Sequence, residues 1–350
     1  MNPEITVVIP LYNKERYIQR TIDSVLRQTF QNFECIIVDS STDGSRKLVS
    51  QYDDPRIVLV SCEKSTAAHA RNQGAHTAQS DLIAFLDADD EWQPDHLESL
   101  HNLRKNYPDA GIYSTPYIKI RANGRPMVML FAGIPRPPWE GFIRSYLRSC
   151  SLGDEPVHSS SCAVPRTVFN AMGGFPENLM YGEDQFLWGN ISLRYPIAYT
   201  WKGLTIYHTE SLGRICDEKH AIEEHPFSVY LKQELLLGNI SPEKQRDCRA
   251  YIRRKRYTEI FSAIIAGKST PRGAGALIKY PSVHVGKMDE KYCGLKRIIG
   301  RSFNRFYDSS VHDVLRQILV LIYRCYDPGT TLSLGSQVIG RTETNVRLHK

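Results

Sequence analysis

The 350-residue chain has no long hydrophobic run, and no stretch approaches the roughly 18 apolar residues that a membrane-spanning helix needs. Its start lacks the basic region and apolar core of a secretory signal. Its eight cysteines are scattered and form no C-x-x-C pair, which argues against a disulfide framework and a zinc site. These absences favour a cytoplasmic protein with reduced thiols, and the inner face of the membrane is an alternative location.

Two nucleotide-binding motifs are also missing. A dinucleotide-dependent oxidoreductase needs G-x-G-x-x-G after its first strand, and the chain has Pro10-Leu-Tyr-Asn-Lys there. The segment Gly267-Lys-Ser-Thr lacks the earlier glycine of a P-loop, because Ser262 occupies that position, and it follows a predicted helix instead of a strand. The sequence therefore gives no support to a Rossmann oxidoreductase or to a P-loop NTPase.

Charge is distributed unevenly along the chain. Residues 1–212 contain 20 basic and 24 acidic side chains, a net charge of −4. Residues 213–350 contain 24 basic and 14 acidic side chains, a net charge of +10. We expect the acidic part to hold a metal ion, and the basic part could face lipid headgroups or a phosphorylated acceptor. A solvated helical surface explains the same basic residues equally well.

Short apolar runs alternate with helical patterns in the first 110 residues. These runs, which we interpret as strands, cover residues 5–10, 35–38, 57–60 and 82–86. Apolar strands separated by helices indicate an α/β fold with a mostly parallel sheet and helices on both faces. We predict one such domain over residues 1–215, with a nucleotide-binding half (1–115) and an acceptor half (116–215). A basic helical C-terminal region is predicted for residues 216–350.

Polar clusters follow three of these strands, at the rim of the sheet where α/β proteins bind ligands. Pro10-Leu-Tyr-Asn follows the first strand and Asp39 the second, while Asp87, Asp89 and Asp90 follow the fourth. Grouped carboxylates suit Mg²⁺ or Mn²⁺, because both prefer oxygen ligands. An acidic turn that caps the next helix explains the three aspartates equally well when they are considered alone. Three clusters on one rim favour a site.

The pair Glu183-Asp184 opens a later amphipathic helix and also has two interpretations. Acidic residues in a first helical turn are favoured by the helix dipole, which requires no function. The alternative is a catalytic base held beside the metal. Both interpretations stay open on these residues alone.

Two features of the C-terminal region bear on partners. The basic run Arg253-Arg-Lys-Arg lies on a predicted helix, where adjacent side chains point in different directions, so nucleic-acid binding is not expected. Residues 311–325 place apolar side chains at helical spacing. This stripe favours a core or homodimer contact over a helix on the membrane surface.

The motifs together resemble the family 2 glycosyltransferases of the GT-A fold. The matching stretches are Val7-Val-Ile-Pro-Leu-Tyr-Asn, Ile36-Ile-Val-Asp, Ala70-Arg-Asn-Gln-Gly, Phe85-Leu-Asp-Ala-Asp-Asp, Gly173-Gly-Phe and Glu183-Asp184. They cover roughly residues 5–210, and their order and spacing are more specific than any one of them. The resemblance implies an inverting, metal-dependent hexosyltransferase that uses a nucleotide-sugar, with UDP as the expected nucleotide.

The resemblance also implies roles for residues on the donor side. Pro10 and its neighbours, including Tyr12, would line the uracil pocket, and Asp39 would accept a hydrogen bond from the base. Arg71 would lie near the same nucleotide, and Asp87 would bond the ribose or a metal-bound water. The segment after the second strand, Asp39-Ser-Ser-Thr-Asp-Gly-Ser, is one residue shorter than the usual family pattern and lacks its second aspartate.

Further implied roles concern the metal and the chemistry. Asp89 would bind Mn²⁺ or Mg²⁺ directly, and His208 would add a metal or diphosphate contact. Asp184 would act as the general base, with Glu183 orienting it or the acceptor. The expected acceptor is a glycan or lipid-linked hydroxyl in cell-surface polysaccharide synthesis. The alternative is a protein that binds a nucleotide or nucleotide-sugar without catalysis.

Overall fold

The computed structural model describes residues 2–63, 66–127, 129–211, 224–265 and 332–334, with side chains described up to residue 259. The helices are α1 (Ile18–Leu26), α2 (Ser45–Val49), α3 (Ala67–Thr77), α4 (His96–Asn106), α5 (Tyr146–Leu152), α6 (Arg166–Ala171), α7 (Glu183–Arg194), α8 (Pro226–Leu236) and α9 (Pro242–Ile265). The strands are β1 (Ile5–Leu11), β2 (Phe33–Asp39), β3 (Ile57–Ser61), β4 (Leu82–Phe85), β5 (Glu91–Trp92), β6 (Ile112–Ser114), β7 (Tyr117–Ile120), β8 (Pro126–Met127), β9 (Leu130–Ala132), β10 (Glu140–Phe142), β11 (Cys162–Pro165), β12 (Ile197–Thr200), β13 (Thr205–His208) and β14 (Leu332–Leu334).

The largest sheet among the described residues has eight strands in the order β10-β12-β6-β11-β4-β1-β2-β3. Strands β3, β2, β1 and β4 run parallel to one another, and so do β6 and β12. Strand β11 is inserted antiparallel between β4 and β6. A second sheet has the order β5-β13-β7-β8. The prediction of an α/β fold with a mostly parallel sheet is therefore confirmed.

The two faces of β1 belong to two separate hydrophobic cores, because successive side chains of a strand point to opposite sides. Val7 and Ile9 pack with Ile18 and Ile22 of α1 on one face. Val8 packs on the other face, in the cluster that contains the buried alanines of α3. Every residue of β1 except Pro10 is buried, which explains why the sequence of this strand is apolar throughout.

Gly74 allows α3 to lie close to the sheet. A Cβ atom at this position would lie 2.4 Å from Val8 Cγ1 and 3.2 Å from Val38 Cγ2. We expect Gly74→Ala to lower the free energy of unfolding by about 1–3 kcal/mol, because the methyl group overpacks a filled core. Urea unfolding checks this, with the exposed Thr77→Ala on the same helix as the control. An equal, small effect for both variants would contradict the close packing.

The chain forms two compact units, residues 1–254 with 331–350, and residues 255–330. Helix α8 and the first part of α9 contribute Phe227, Leu231, Cys248 and Tyr251 to the core of the first unit. The domain boundary at residue 215 stays a prediction.

The apolar stripe of residues 311–325 and the segment at Gly267 lie outside the described residues. Within the described part of the chain, no helix combines the length and apolar character needed to cross a membrane.

Candidate active site

The register of the sheet brings the three polar clusters to one edge. Parallel pairing of β1 with β2 places Leu11 beside Asp39. Pairing of β1 with β4 places Val8 beside Phe85, and the next residue, Leu86, donates its N–H to the Val8 carbonyl at 3.1 Å. The carboxyl ends of β1, β2 and β4 are therefore neighbours, and each continues into one of the polar clusters. This rim is the candidate active site.

The loop of residues 87–90, called the acidic loop below, follows β4 and carries cationic partners. Arg71 Nη2 lies 2.6 Å from Asp87 Oδ1, and Lys14 Nζ lies 2.8 Å from Asp89 Oδ2. Burial raises the pKa of Asp87, but Arg71, His158 and Lys14 together outweigh this effect, and the pKa lies below its ordinary value. Neighbouring carboxylates can coexist in this loop because two of them have a positive charge within ion-pair distance.

Asp90 has a structural role. It is fully buried, and it accepts hydrogen bonds from Ser160 Oγ at 2.6 Å and from the His208 N–H at 3.1 Å. Burial and the charges of Asp89 and Asp87 raise the pKa of Asp90 well above its ordinary value. Asp90 thus fastens the end of β13 and the turn at Ser160 to the acidic loop.

Arg71 connects the acidic loop to the start of α7. Its guanidinium lies 2.6 Å from Asp87 Oδ1 and 3.0 Å from Glu183 Oε1, and its side chain is only 6% exposed. It also lies 5.3 Å from the centre of the Phe175 ring. Burial disfavours its charge, but the two carboxylates outweigh burial and raise the pKa of Arg71. The predicted metal-binding loop and the predicted catalytic pair are therefore held by one side chain.

Asp184 has the properties of a base that works near neutral pH. It lies in the first turn of α7, and its Oδ1 accepts the N–H of Gln185 at 2.7 Å. Burial, followed by the charges of Glu183 and Glu155, raises the pKa of Asp184 from 3.8 to about 7. A carboxylate with a pKa near 7 can accept a proton effectively at neutral pH and still be deprotonated in a large fraction of molecules.

The residues predicted to contact the nucleotide lie along the ends of β1 and β2. Asp39 is buried, and it accepts hydrogen bonds from the Ser41 N–H and from Arg46 Nη1, each at 3.0 Å. Tyr12 is 46% exposed, which is unusual for a large ring at the end of a buried strand. Pro10 is partly buried and pairs with Val38, the residue before Asp39. An exposed aromatic ring can stack on a nucleotide base, and a fixed carboxylate can accept a hydrogen bond from the ring N–H of a base.

His208 ends β13 and lies between two carboxylates. Its Nε2 is 2.9 Å from Glu91 Oε1, and its Nδ1 is 2.8 Å from Glu210 Oε1. Arg20 lies 3.7 Å from the same Glu210 oxygen and donates to the Asp89 carbonyl at 2.6 Å. His208 is therefore close to the acidic loop, but its ring must leave one carboxylate before it can bind a cation.

Sequence reasoning missed His158 and Lys14. Ligand atoms of Asp87, Asp90 and His158 lie within 4.8 Å of one another, and the His158 Nδ1 accepts the Ser160 N–H at 3.2 Å. His158 immediately precedes the turn that leads into β11, which lies beside β4. The pairing of β11 with β4 was not predicted, so no spacing in the sequence linked His158 to the acidic loop.

The donor set fits a divalent cation. Asp87, Asp90 and His158 offer carboxylate and imidazole ligands of the kind that Mn²⁺ accepts, and the carboxylates alone suit Mg²⁺. Asp89 and His208, which were predicted to bind the metal, do not belong to this close group. Asp89 lies in the same loop, and its Oδ2 is 2.8 Å from Lys14 Nζ. A cation that binds this carboxylate would have to take the place of the lysine ammonium.

Known glycosyltransferases resemble this chain in sequence. Residues 6–172 match the sequence model described as "Glycosyl transferase family 2". The putative teichuronic acid biosynthesis glycosyltransferase TuaG of Bacillus subtilis is 46% identical over 100 residues, which cover 27% of this chain and 40% of TuaG. The UDP-Glc:alpha-D-GlcNAc-diphosphoundecaprenol beta-1,3-glucosyltransferase WfgD of Escherichia coli is 31% identical over 189 residues, covering 53% of this chain and 69% of WfgD.

The fold is shared with a solved structure of S. aureus TarS in complex with UDP-GlcNAc. The two chains superpose with a TM-score of 0.62 at 18% sequence identity, over 78% of this chain and 77% of the TarS chain. This likeness confirms the predicted GT-A fold. Because the matching region covers more than two thirds of a relative above 30% identity, the protein is a member of glycosyl transferase family 2.

Proposed function

We propose that this protein is an inverting, metal-dependent glycosyltransferase that moves a sugar from a UDP-sugar to a hydroxyl group of a glycan or lipid-linked acceptor. The observation that carries the proposal is the bridge made by Arg71. It joins Asp87 of the acidic loop to Glu183, the neighbour of a carboxylate whose pKa is about 7. A cation-binding loop and a base held in one network are what a single displacement at a sugar requires.

On the donor side, Tyr12 and Asp39 would bind the base of the nucleotide, and Pro10 would line the same pocket. Asp87 would bond the ribose or a metal-bound water. Asp89 would hold Mn²⁺ or Mg²⁺, with His208 as a second proposed contact. When bound, the cation acts as a Lewis acid that stabilises the negative charge of the departing diphosphate.

On the acceptor side, Asp184 would accept the proton of the attacking hydroxyl on a carboxylate oxygen as the new glycosidic bond forms. Glu183 would orient Asp184 or the acceptor, and its ion pair with Arg71 fixes its position. Attack opposite the leaving diphosphate inverts the configuration at the anomeric carbon, since the reaction has one displacement and no covalent enzyme intermediate. The protein thus supplies a positioned proton acceptor and a stabilised leaving group.

The donor and acceptor classes are inferred from several features. TarS was solved with UDP-GlcNAc, and the name of WfgD states a UDP-Glc donor and a diphosphoundecaprenol acceptor. The name of TuaG places that relative in teichuronic acid biosynthesis. We extend a UDP-sugar donor and a role in polysaccharide synthesis to this chain. The boundaries 1–215 and 216–350, contact of the basic C-terminal region with a membrane, and a homodimer remain proposals.

Turnover is expected to depend on pH through Asp184. A general base must be deprotonated, so kcat/KM, which reports the pKa values of the free enzyme, should fall about tenfold per unit as the pH decreases below the pKa of about 7, and it should level off above pH 8. The measurement is UDP release at limiting donor and acceptor concentrations from pH 5 to 9. A profile that is flat between pH 5 and 8 would contradict the assignment of Asp184.

Activity is also expected to require a divalent cation. Incubation with excess chelator should abolish transfer, and Mn²⁺ or Mg²⁺ should restore it, because the diphosphate leaves with a growing negative charge. A panel of UDP-sugars, assayed for cation-dependent UDP release, tests the donor class in the same experiment. Full activity in excess chelator would show that the reaction does not need a divalent cation. Binding of UDP without release from any donor would support a non-catalytic binding protein.

A further inference from the structure

Lys14 is placed to compete with a cation for Asp89. Its ammonium lies 2.8 Å from Asp89 Oδ2, with the lysine side chain 13% exposed and the aspartate side chain 10% exposed. Both groups are largely removed from water, which makes the attraction stronger than that of a surface ion pair. A divalent cation that binds the same carboxylate would lie within a few ångströms of the ammonium and would be repelled by it.

The backbone of Lys14 is fixed, which makes this contact a built feature of the rim. Its N–H donates to Ser45 Oγ at 2.9 Å, and its carbonyl accepts the N–H groups of Tyr17 and Ile18, each at 2.9 Å. The backbone of Asp89 is held as well, since its carbonyl accepts from Arg20 at 2.6 Å. Only the aliphatic stem of the lysine has to rotate for the ammonium to change its partner.

We propose that Lys14 is a positioning residue that neutralises Asp89 in the nucleotide-free protein and gives up this place when the divalent cation arrives together with the nucleotide. The proposal rests on the proposed function, because it takes Asp89 as the ligand of the cation. The diphosphate brings the negative charge that can receive the displaced ammonium. Binding of the cation should therefore be weak without the nucleotide and strong with it.

The test measures Mn²⁺ binding to the 350-residue chain by titration calorimetry, first without any nucleotide. Removal of the competing charge in Lys14→Gln and Lys14→Met should tighten Mn²⁺ binding at least tenfold relative to the wild type. Lys14→Arg keeps the positive charge and should bind Mn²⁺ as weakly as the wild type. Lys105→Gln, which removes an exposed lysine on α4, is the matched control and should also behave like the wild type.

The second part repeats the titration with saturating UDP. Wild-type protein should bind Mn²⁺ at least tenfold more tightly with UDP than without it, and this enhancement should be several-fold smaller in Lys14→Gln. Melting temperatures of all variants, measured without Mn²⁺, show whether the variants are folded. Two neutral substitutions are used so that a folding defect in one of them does not leave the test without a result.

Asp89→Asn separates failure of this inference from failure of the proposed metal site. One outcome is that Asp89→Asn weakens Mn²⁺ binding while the neutral Lys14 variants bind no more tightly than the wild type. This result would contradict the exchange of the Lys14 ammonium for the cation, but it would support Asp89 as a metal ligand. If Asp89→Asn binds Mn²⁺ as well as the wild type, both the metal site and the exchange are wrong. Tighter binding by the two neutral variants, together with loss in Asp89→Asn, is the result that supports the proposal.

Discussion

Asp184→Asn is expected to lower transfer by about 10²–10⁴-fold while leaving the affinity for UDP close to that of the wild type. The range is that of general base catalysis, because asparagine cannot accept the proton of the acceptor hydroxyl. The affinity should be kept because the residues proposed to bind the nucleotide lie on β1, β2 and the acidic loop. Steady-state kinetics and UDP titration measure the two quantities separately.

The same substitution is expected to stabilise the fold at alkaline pH. The folded protein raises the pKa of Asp184 from 3.8 to about 7, so it binds this proton more tightly than the unfolded chain does. Stability is therefore lost as the pH rises from about 4 to 7, by up to about 4 kcal/mol at 1.36 kcal/mol per pKa unit. Asparagine carries no charge and removes this cost, so Asp184→Asn should melt at a higher temperature than the wild type at pH 8.

Asp53→Asn is the matched control, because Asp53 is exposed and lies outside the candidate site. It should change neither the transfer rate nor the melting temperature appreciably. Wild-type turnover in Asp184→Asn would show that another group takes the proton. Equal losses of turnover and UDP affinity would mean that Asp184 supports the structure of the site instead of the chemistry.

Arg71→Met is expected to lower the free energy of unfolding by about 3–5 kcal/mol. The substitution leaves Asp87 and Glu183 without the buried cation they share, and a carboxylate left unpaired in a partly buried site is costly. Transfer should fall as well, since the acidic loop and the start of α7 lose their common contact. Arg71→Lys should have an intermediate effect, because one ammonium cannot reproduce the two-sided geometry of the guanidinium. Urea unfolding and transfer assays give both values.

Arg166→Met is the control for Arg71→Met. Arg166 forms an ion pair of 3.1 Å with Asp81, and the two side chains are 38% and 69% exposed. Loss of an exposed pair should cost less than about 1 kcal/mol. Similar destabilisation by the two substitutions would show that the Arg71 bridge has no special importance for the fold.

The parallel strands could be predicted closely from the sequence. The apolar runs 5–10, 35–38, 57–60 and 82–86 became Ile5–Leu11, Phe33–Asp39, Ile57–Ser61 and Leu82–Phe85. These segments are apolar because most of them are buried on both faces, so their own composition indicates their structure. The shared rim at the ends of β1, β2 and β4 could be predicted as well, because parallel strands place their carboxyl ends at one edge of a sheet.

The contacts between distant segments could not be predicted in the same way. Arg71 and Glu183 are 112 positions apart, and their ion pair depends on how α3 and α7 pack against the sheet. The antiparallel insertion of β11 beside β4, which brings Ser160 and His158 to the acidic loop, has no local sequence signal. The pairing of Lys14 with Asp89 likewise arises from the fold and not from either segment alone.

A crystal structure of the protein with UDP and Mn²⁺ would show whether the rim of the sheet holds the cation on the side of Asp184. We expect Mn²⁺ to be coordinated by Asp89 and the diphosphate, with the terminal phosphate directed towards Asp184. UDP bound away from the rim formed by β1, β2 and β4, or Mn²⁺ held without Asp89, would contradict this expectation.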